Sequence, residues 1–119
     1  MIFNNWTDSE KEKKEILELT KKTFGNTDIS NSSYFDWQYR RNPNGKAIII
    51  LAQDDLNDNV IIGSNTIIPT KLLVEEEEIL SFLACNVQVN SKYQNQGIFT
   101  QLLSLMTLEA KKQEILSLF

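Results

Sequence analysis

Two hydrophobic patterns divide the chain. Up to residue 24 the apolar positions recur at helical spacing, with Ile16, Leu17, Leu19, Thr20 and Phe24 on one face. Thr7-Asp8-Ser9-Glu10 has the form of a capping box with Thr7 at the N-cap. Glu10 and Glu12 sit early and Lys21 and Lys22 late, as the helix dipole prefers, and Gly25-Asn26 ends the run. A second, short helix is predicted over residues 33–39, capped by Asn31 or Ser32 and rich in aromatic side chains: Tyr34, Phe35, Trp37 and Tyr39. Asn42-Pro43-Asn44-Gly45 stops it, because proline disfavours helix at the residue before it and Asn-Gly suits a turn.

The pattern then changes to strands. Residues 46–53 contain Ala-Ile-Ile-Ile-Leu-Ala, apolar on both faces, so this strand should be covered on both sides. A polar loop (54–59) leads to a second strand over 60–69, with Gly63 at a bulge. Residues 71–75 and 78–90 read as a third and a long fourth strand joined at the Glu75–Glu78 run. A polar loop to Gln96 precedes a helix over 97–112, whose broad apolar surface suits a helix lying on a sheet. Residues 114–119 read as a fifth strand. An apolar strand at the last residues leaves an uncovered edge, so the pattern predicts that a turn and further strands follow, and self-association through this strand where they are missing.

Composition narrows the chemistry. With 119 residues, the chain fits a single domain, residues 1–119. Net charge is −4 and no basic tract occurs, which argues against phosphate-led nucleic-acid binding. There is no His and one Cys, so His-activated nucleophiles, internal disulfides and Cys-cluster zinc sites are excluded, and no metal is expected. No signal-peptide core or membrane-length apolar run is present, and a soluble cytoplasmic protein without membrane partners is expected.

Candidate chemistry concentrates in the strand–loop–helix unit from Leu83 to Met106. A strand ends, a polar loop crosses and a helix begins beside Gly97, an arrangement that aims backbone N–H groups and the positive end of a helix at one point. It is a ready anion site, suited to a pyrophosphate; the same spacing also fits an ordinary loop with a glycine at a helix start.

These residues resemble motif A of the GCN5-related N-acetyltransferase (GNAT) superfamily, [Gln/Arg]-x-x-Gly-x-[Gly/Ala]. Gln94, Asn95, Gln96, Gly97 and Ile98 fit its first five positions, and Phe99 departs from the sixth. Val87-Gln88-Val89 is similar to the family's fourth strand, and Tyr34 to Gly45 resembles the opening of one acetyltransferase branch. The resemblance implies an α/β (α+β) fold, a mixed, largely antiparallel sheet flanked by helices in the order α-α-β-β-β-β-α-β, truncated after the fifth strand. It implies acetyl-CoA as cofactor and transfer of its acetyl group to a primary amine, on a small molecule or peptide. Main-chain groups of Val87 and Val89, on either side of Gln88, would pair with the pantetheine arm as an added strand does. The N–H near Val87 would polarise the thioester carbonyl, and the amides from Gln94 to Thr100 would hold the pyrophosphate. The amine would attack directly, with no covalent enzyme intermediate.

No catalytic acid or base is assigned. The family's tyrosine proton donor lies on a helix after the fifth strand. Cys85 and Asn86 are nearest the usual base position, and Cys85 reads better as a small buried hydrophobe. The Glu75–Glu78 run reads as a solvated turn. Tyr34, Trp37 and Tyr39 could line the acceptor side or pack the short helix on the sheet. Arg40 and Arg41 could meet an anion or complement a helix C-terminus. The competing reading is a non-catalytic α+β ligand-binding or dimerisation module, which cofactor binding would separate from an enzyme.

Overall fold

Strand pairing begins before the first helix. In the computed structural model, which describes residues 1–112, the elements run β1 (Ile2–Asn5), α1 (Glu10–Phe24), α2 (Ser32–Phe35), β2 (Ile48–Asp54), β3 (Val60–Val74), β4 (Glu77–Val89) and α3 (Ile98–Lys112). Among the described residues the sheet is antiparallel throughout, in the order β1-β2-β3-β4. The predicted fifth strand, and the self-association expected through it, fall outside those residues.

Sequence reading missed β1. Four residues are too few to show a period, and what makes them a strand is the partner: Ile2 to Asn5 pair with Gln53 to Ile50. The N-cap also differs from the expected one. Ser9 caps α1, accepting from the Glu12 N–H at 3.1 Å, while Glu12 Oε1 accepts from the Ser9 N–H at 3.1 Å and from the Thr7 N–H at 2.8 Å. Both Ser/Thr-x-x-Glu frames fit the motif. Tertiary contacts choose between them, because Glu10, the acid the Thr7 frame needs at its third helical position, is instead bonded to Arg40, and Asp8, which would open that helix, has a positive φ of 62°.

α2 is shorter than predicted and widens into a π-helical turn at Asp36–Arg40. Asn31 caps it, its side chain accepting from the Ser33 and Tyr34 N–H groups. The turn carries Asp36 and Arg40 against α1. Lys13 Nζ donates to Asp36 at 2.8 Å, and Arg40 donates to Asp8 at 2.6 Å and to Glu10 at 2.7 Å. Arg40 therefore serves an ion-pair network that joins α1 to α2, rather than a ligand.

The strands predicted over 60–69 and 71–75 are one, β3. β2 ends its pairing at Ile67, so among the described residues β3 has a partner on one side only from Pro69 onward, where a sheet tolerates proline. The Glu75-Glu76 turn closes the β3–β4 hairpin with both residues at positive φ. β2 is covered on both faces, as its sequence implies. Ile49 and Leu51 pack with Ile16, Leu19, Phe35 and Tyr39 under α1 and α2; Ile50 and Ala52 pack with Ile98, Leu102 and Met106 under α3.

Two bulges re-aim the strands. Ala52 faces Gly63 while Gln53 faces Ile61, which leaves Ile62 as an extra residue beside Gly63. A Cβ on Gly63 would lie 3.1 Å from the Gln88 carbonyl oxygen and 3.3 Å from Leu102 Cδ1, so β3, β4 and α3 approach closely there. On β4, Thr66 faces Asn86 while Ile67 faces Ala84. Cys85 is the extra residue. It packs against the α1–α2 core, the side on which Asn86 meets Tyr39, so two consecutive side chains share one face.

Candidate functional site: a groove along the edge of the fourth strand

At its C-terminal end β4 is the edge of the described sheet, and its hydrogen-bond phase decides what that edge offers. The Asn90 N–H donates to the Ile62 carbonyl at 2.7 Å. Antiparallel pairs alternate between bonded and non-bonded, so Gln88 and Asn86 bond inward to Ser64 and Thr66. Val87 and Val89, opposite Asn65 and Gly63, therefore point their N–H and C=O groups away from β3. Their side chains pack toward α3, which leaves main-chain groups as the polar face of this edge.

The chain then turns through the loop between β4 and α3. Asn90 Oδ1 accepts from the Lys92 N–H at 3.0 Å, and Tyr93 Oη donates to Asp54 Oδ2 at 2.6 Å, which ties the loop to the end of β2. That bond raises the Tyr93 pKa above its ordinary value, the neighbouring carboxylate opposing ionisation. Asn95 and Gly97 take positive φ, 64° and 75°. A Cβ on Gly97 would meet nothing within 4 Å, so space stands open over this residue. The first intrahelical bond of α3 runs from the Gln101 N–H to the Gly97 carbonyl at 3.0 Å. The amides of Ile98, Phe99 and Thr100 lie ahead of it, without helical acceptors, at the positive end of the helix.

A cavity of about 500 Å³ joins these parts. Val87, Gln88 and Val89 form one side, and Gln94, Asn95, Gly97, Ile98, Phe99 and Thr100 the other. Of the cofactor residues named from sequence, Gln96 is not among the lining residues. Phe99, at the motif position that departs from the family pattern, is half exposed on the wall. Thr23, Phe24 and Tyr93 line the cavity as well and were missed. The available signal was Phe24, the apolar residue at the very end of the α1 apolar face, beyond the last buried turn and 44% exposed. In a chain with 16 acidic residues, the described residues of this wall include no carboxylate, and the adjoining groove carries Lys22 and Lys92. The arrangement offers backbone donors, a helix N-terminus and an acid-free wall, which suits an extended ligand ending in an anion.

The aromatic candidates separate. Tyr39 is buried against Phe35, with ring centroids 4.9 Å apart, and burial pushes its hydroxyl pKa well up, with Asn86 bonded to it. Trp37 is 62% exposed and stacks edge-on with the partly buried Tyr34 at 5.9 Å. Burial raises the Tyr34 pKa, and it pushes the Cys85 thiol up to about 11. Cys85 is partly buried, so neither it nor the tyrosines present an ionised group at neutral pH.

A family model described as an acetyltransferase (GNAT) domain matches residues 7–119. No curated protein matches the sequence significantly. Among solved structures, an acetyltransferase from Vibrio fischeri superimposes with TM-score 0.74 at 17% identity, covering 100% of this chain and 93% of that one. An aminoglycoside 6′-N-acetyltransferase complexed with coenzyme A gives TM-score 0.73 at 17% identity, over 99% of this chain and 59% of that chain. A glucosamine-6-phosphate N-acetyltransferase from Arabidopsis thaliana gives 0.68 at 11% identity, over 100% and 81%. No described helix is long and apolar enough to cross a membrane.

Proposed function

The chain belongs to the GNAT acetyltransferases, and from that membership we propose that it binds acetyl-CoA along the β4 edge and transfers the acetyl group to a primary amine. The observation that carries this reading is the phase of β4. Outward main-chain groups at Val87 and Val89 lead directly into the loop whose amides, through Thr100, lack helical acceptors. An amide-bearing arm laid on that edge would be bonded as a strand is, and the diphosphate beyond it would meet the amides at the start of α3.

In this reading acetyl-CoA supplies an activated thioester. The Val87 N–H would donate to the thioester carbonyl oxygen and favour the charge that develops there on attack by the amine. The amides of Ile98, Phe99 and Thr100, which lack helical acceptors, would hold the phosphates. Tyr34 and Trp37 flank the acceptor side, and Tyr39 supports them from the core. With no described side chain assigned as base, the amine would attack as its neutral fraction, its proton would pass to water, and coenzyme A would leave as the thiolate and take a proton from water. Amino sugars and aminoglycosides, named among the similar structures, are the first acceptors to try.

The test is calorimetric titration with CoA, followed by thiol release from acetyl-CoA in the presence of a panel of primary amines. Binding with amine-dependent thiol release is expected. Binding without release from any amine would leave a cofactor-binding module, and absence of binding would refute the reading.

A further inference from the structure

Gln88 lies on the groove strand but turns its side chain the other way. It is 2% exposed, between Val87 and Val89, which face α3. Its Nε2 donates to Thr20 Oγ1 at 2.9 Å and to Ser64 Oγ at 3.1 Å. The Thr20 hydroxyl in turn donates to the Ile16 carbonyl at 2.8 Å, which leaves its oxygen lone pairs for the amide. Oε1 is buried with no partner among the described residues. Burying an amide with half its polar capacity unmet is costly, and an apolar side chain of the same size would avoid the cost. Stability alone does not account for glutamine here.

What the side chain does account for is the position of both groove walls. Through Ser64 it holds β4 against β3 at the residue flanked by the two outward-facing main-chain units. Through Thr20 it holds the same point against α1, one turn before Thr23 and Phe24, which form part of the cavity wall. We propose that Gln88 is the positioning residue of the cofactor groove. Its amide ties β4 to the last turns of α1, setting the distance between the β4 edge and the Thr23–Phe24 wall. This inference rests on the acetyl-CoA reading and makes no claim that the Gln88 side chain touches the ligand.

The experiment compares CoA dissociation constants, measured calorimetrically well below the melting temperature, for the wild type, Gln88→Met, Thr20→Val and the double variant. Both substitutions keep the side-chain shape and delete the bond. Gln88→Met should weaken CoA about tenfold. Thr20→Val should weaken it by a similar factor, and the double variant should bind no worse than Gln88→Met, because both remove the same tie. A merely structural role would lower the melting temperature and leave the affinity of folded molecules unchanged. Folded Gln88→Met binding CoA within twofold of wild type, or single effects that multiply in the double variant, would overturn the proposal while leaving the cofactor reading intact. A wild type that fails to bind CoA would overturn that reading itself. If Gln88→Met does not fold, Thr20→Val carries the test, and unchanged affinity there overturns the proposal.

Discussion

A charge placed at Gly97 tests whether the loop before α3 holds an anion. Two substitutions separate backbone strain from electrostatics. Gly97→Ala puts a methyl group where nothing lies within 4 Å, at a φ of +75°; the left-handed conformation costs a side-chain-bearing residue about 1 kcal/mol of stability. It should leave CoA affinity within about twofold, since the methyl group enters open space. Gly97→Asp carries the same strain plus a negative charge. A unit charge about 4 Å from one phosphate charge is opposed by about 1 kcal/mol in water and about 4 kcal/mol at a protein surface of lower effective dielectric. Gly97 is exposed, which places the effect in the lower part of that range, about 1–2 kcal/mol, or roughly 5- to 30-fold in Kd. Titration calorimetry with CoA measures the difference, and thermal melts confirm that both variants fold. Raising the salt should shrink the gap between Asp and Ala, because an exposed charge pair is screened. Equal CoA affinity for the two folded variants, or a gap indifferent to salt, would refute the assignment of an anion to this loop.

Other expectations follow from single contacts. Cys85, with its thiol pushed up to about 11 by burial, should be roughly one part in a thousand thiolate at pH 8 and react slowly with a disulfide reagent; rapid labelling of the native protein would contradict its placement, and Cys85→Ala should cost about 1 kcal/mol in denaturant melts. Gly63→Ala should destabilise by about 1–2 kcal/mol, because the new methyl group meets β4 backbone at 3.1 Å and Leu102 at 3.3 Å; an unchanged melting temperature would mean that the sheet and α3 are less closely packed. Asp36 is held below its ordinary pKa, foremost by the hydrogen bond from Lys13 and further by the Lys13 and Arg40 charges. Its contribution is therefore complete above the unfolded value of 3.8 and lost as pH falls through the lower folded value. Asp36→Asn should cost about 2–3 kcal/mol at pH 7, because the Lys13 ammonium is left buried, and should flatten the acid limb of the stability profile; a parallel limb would show that other carboxylates control it.

Local chemistry determined much of this protein from the sequence alone. α1 and α3 follow from helical apolar spacing. The coverage of β2 on both faces follows from an unbroken apolar run, and the bulge beside Gly63 from a glycine inside a strand. A polar loop ending at a glycine beside a helix start was legible from the residues, and the resemblance to motif A supplied its bounds, Gln94 to Thr100. Other features depended on partners distant in the chain. β1 is a strand because β2 offers it an edge. The α1 N-cap sits at Ser9 because Arg40, thirty residues beyond Glu10, engages the acid that the alternative frame would need. β3 runs through Pro69 because β2 has already ended. The facing of Val87 and Val89 is likewise a property of the assembled sheet: which main-chain groups point outward depends on hydrogen-bond phase, and the Asn90–Ile62 bond and the Cys85 bulge set that phase. Sequence names the residues of this edge, but only pairing with β3 decides which of their N–H and C=O groups are free, because an antiparallel ladder uses every second pair and leaves the alternate ones for whatever lies beside it.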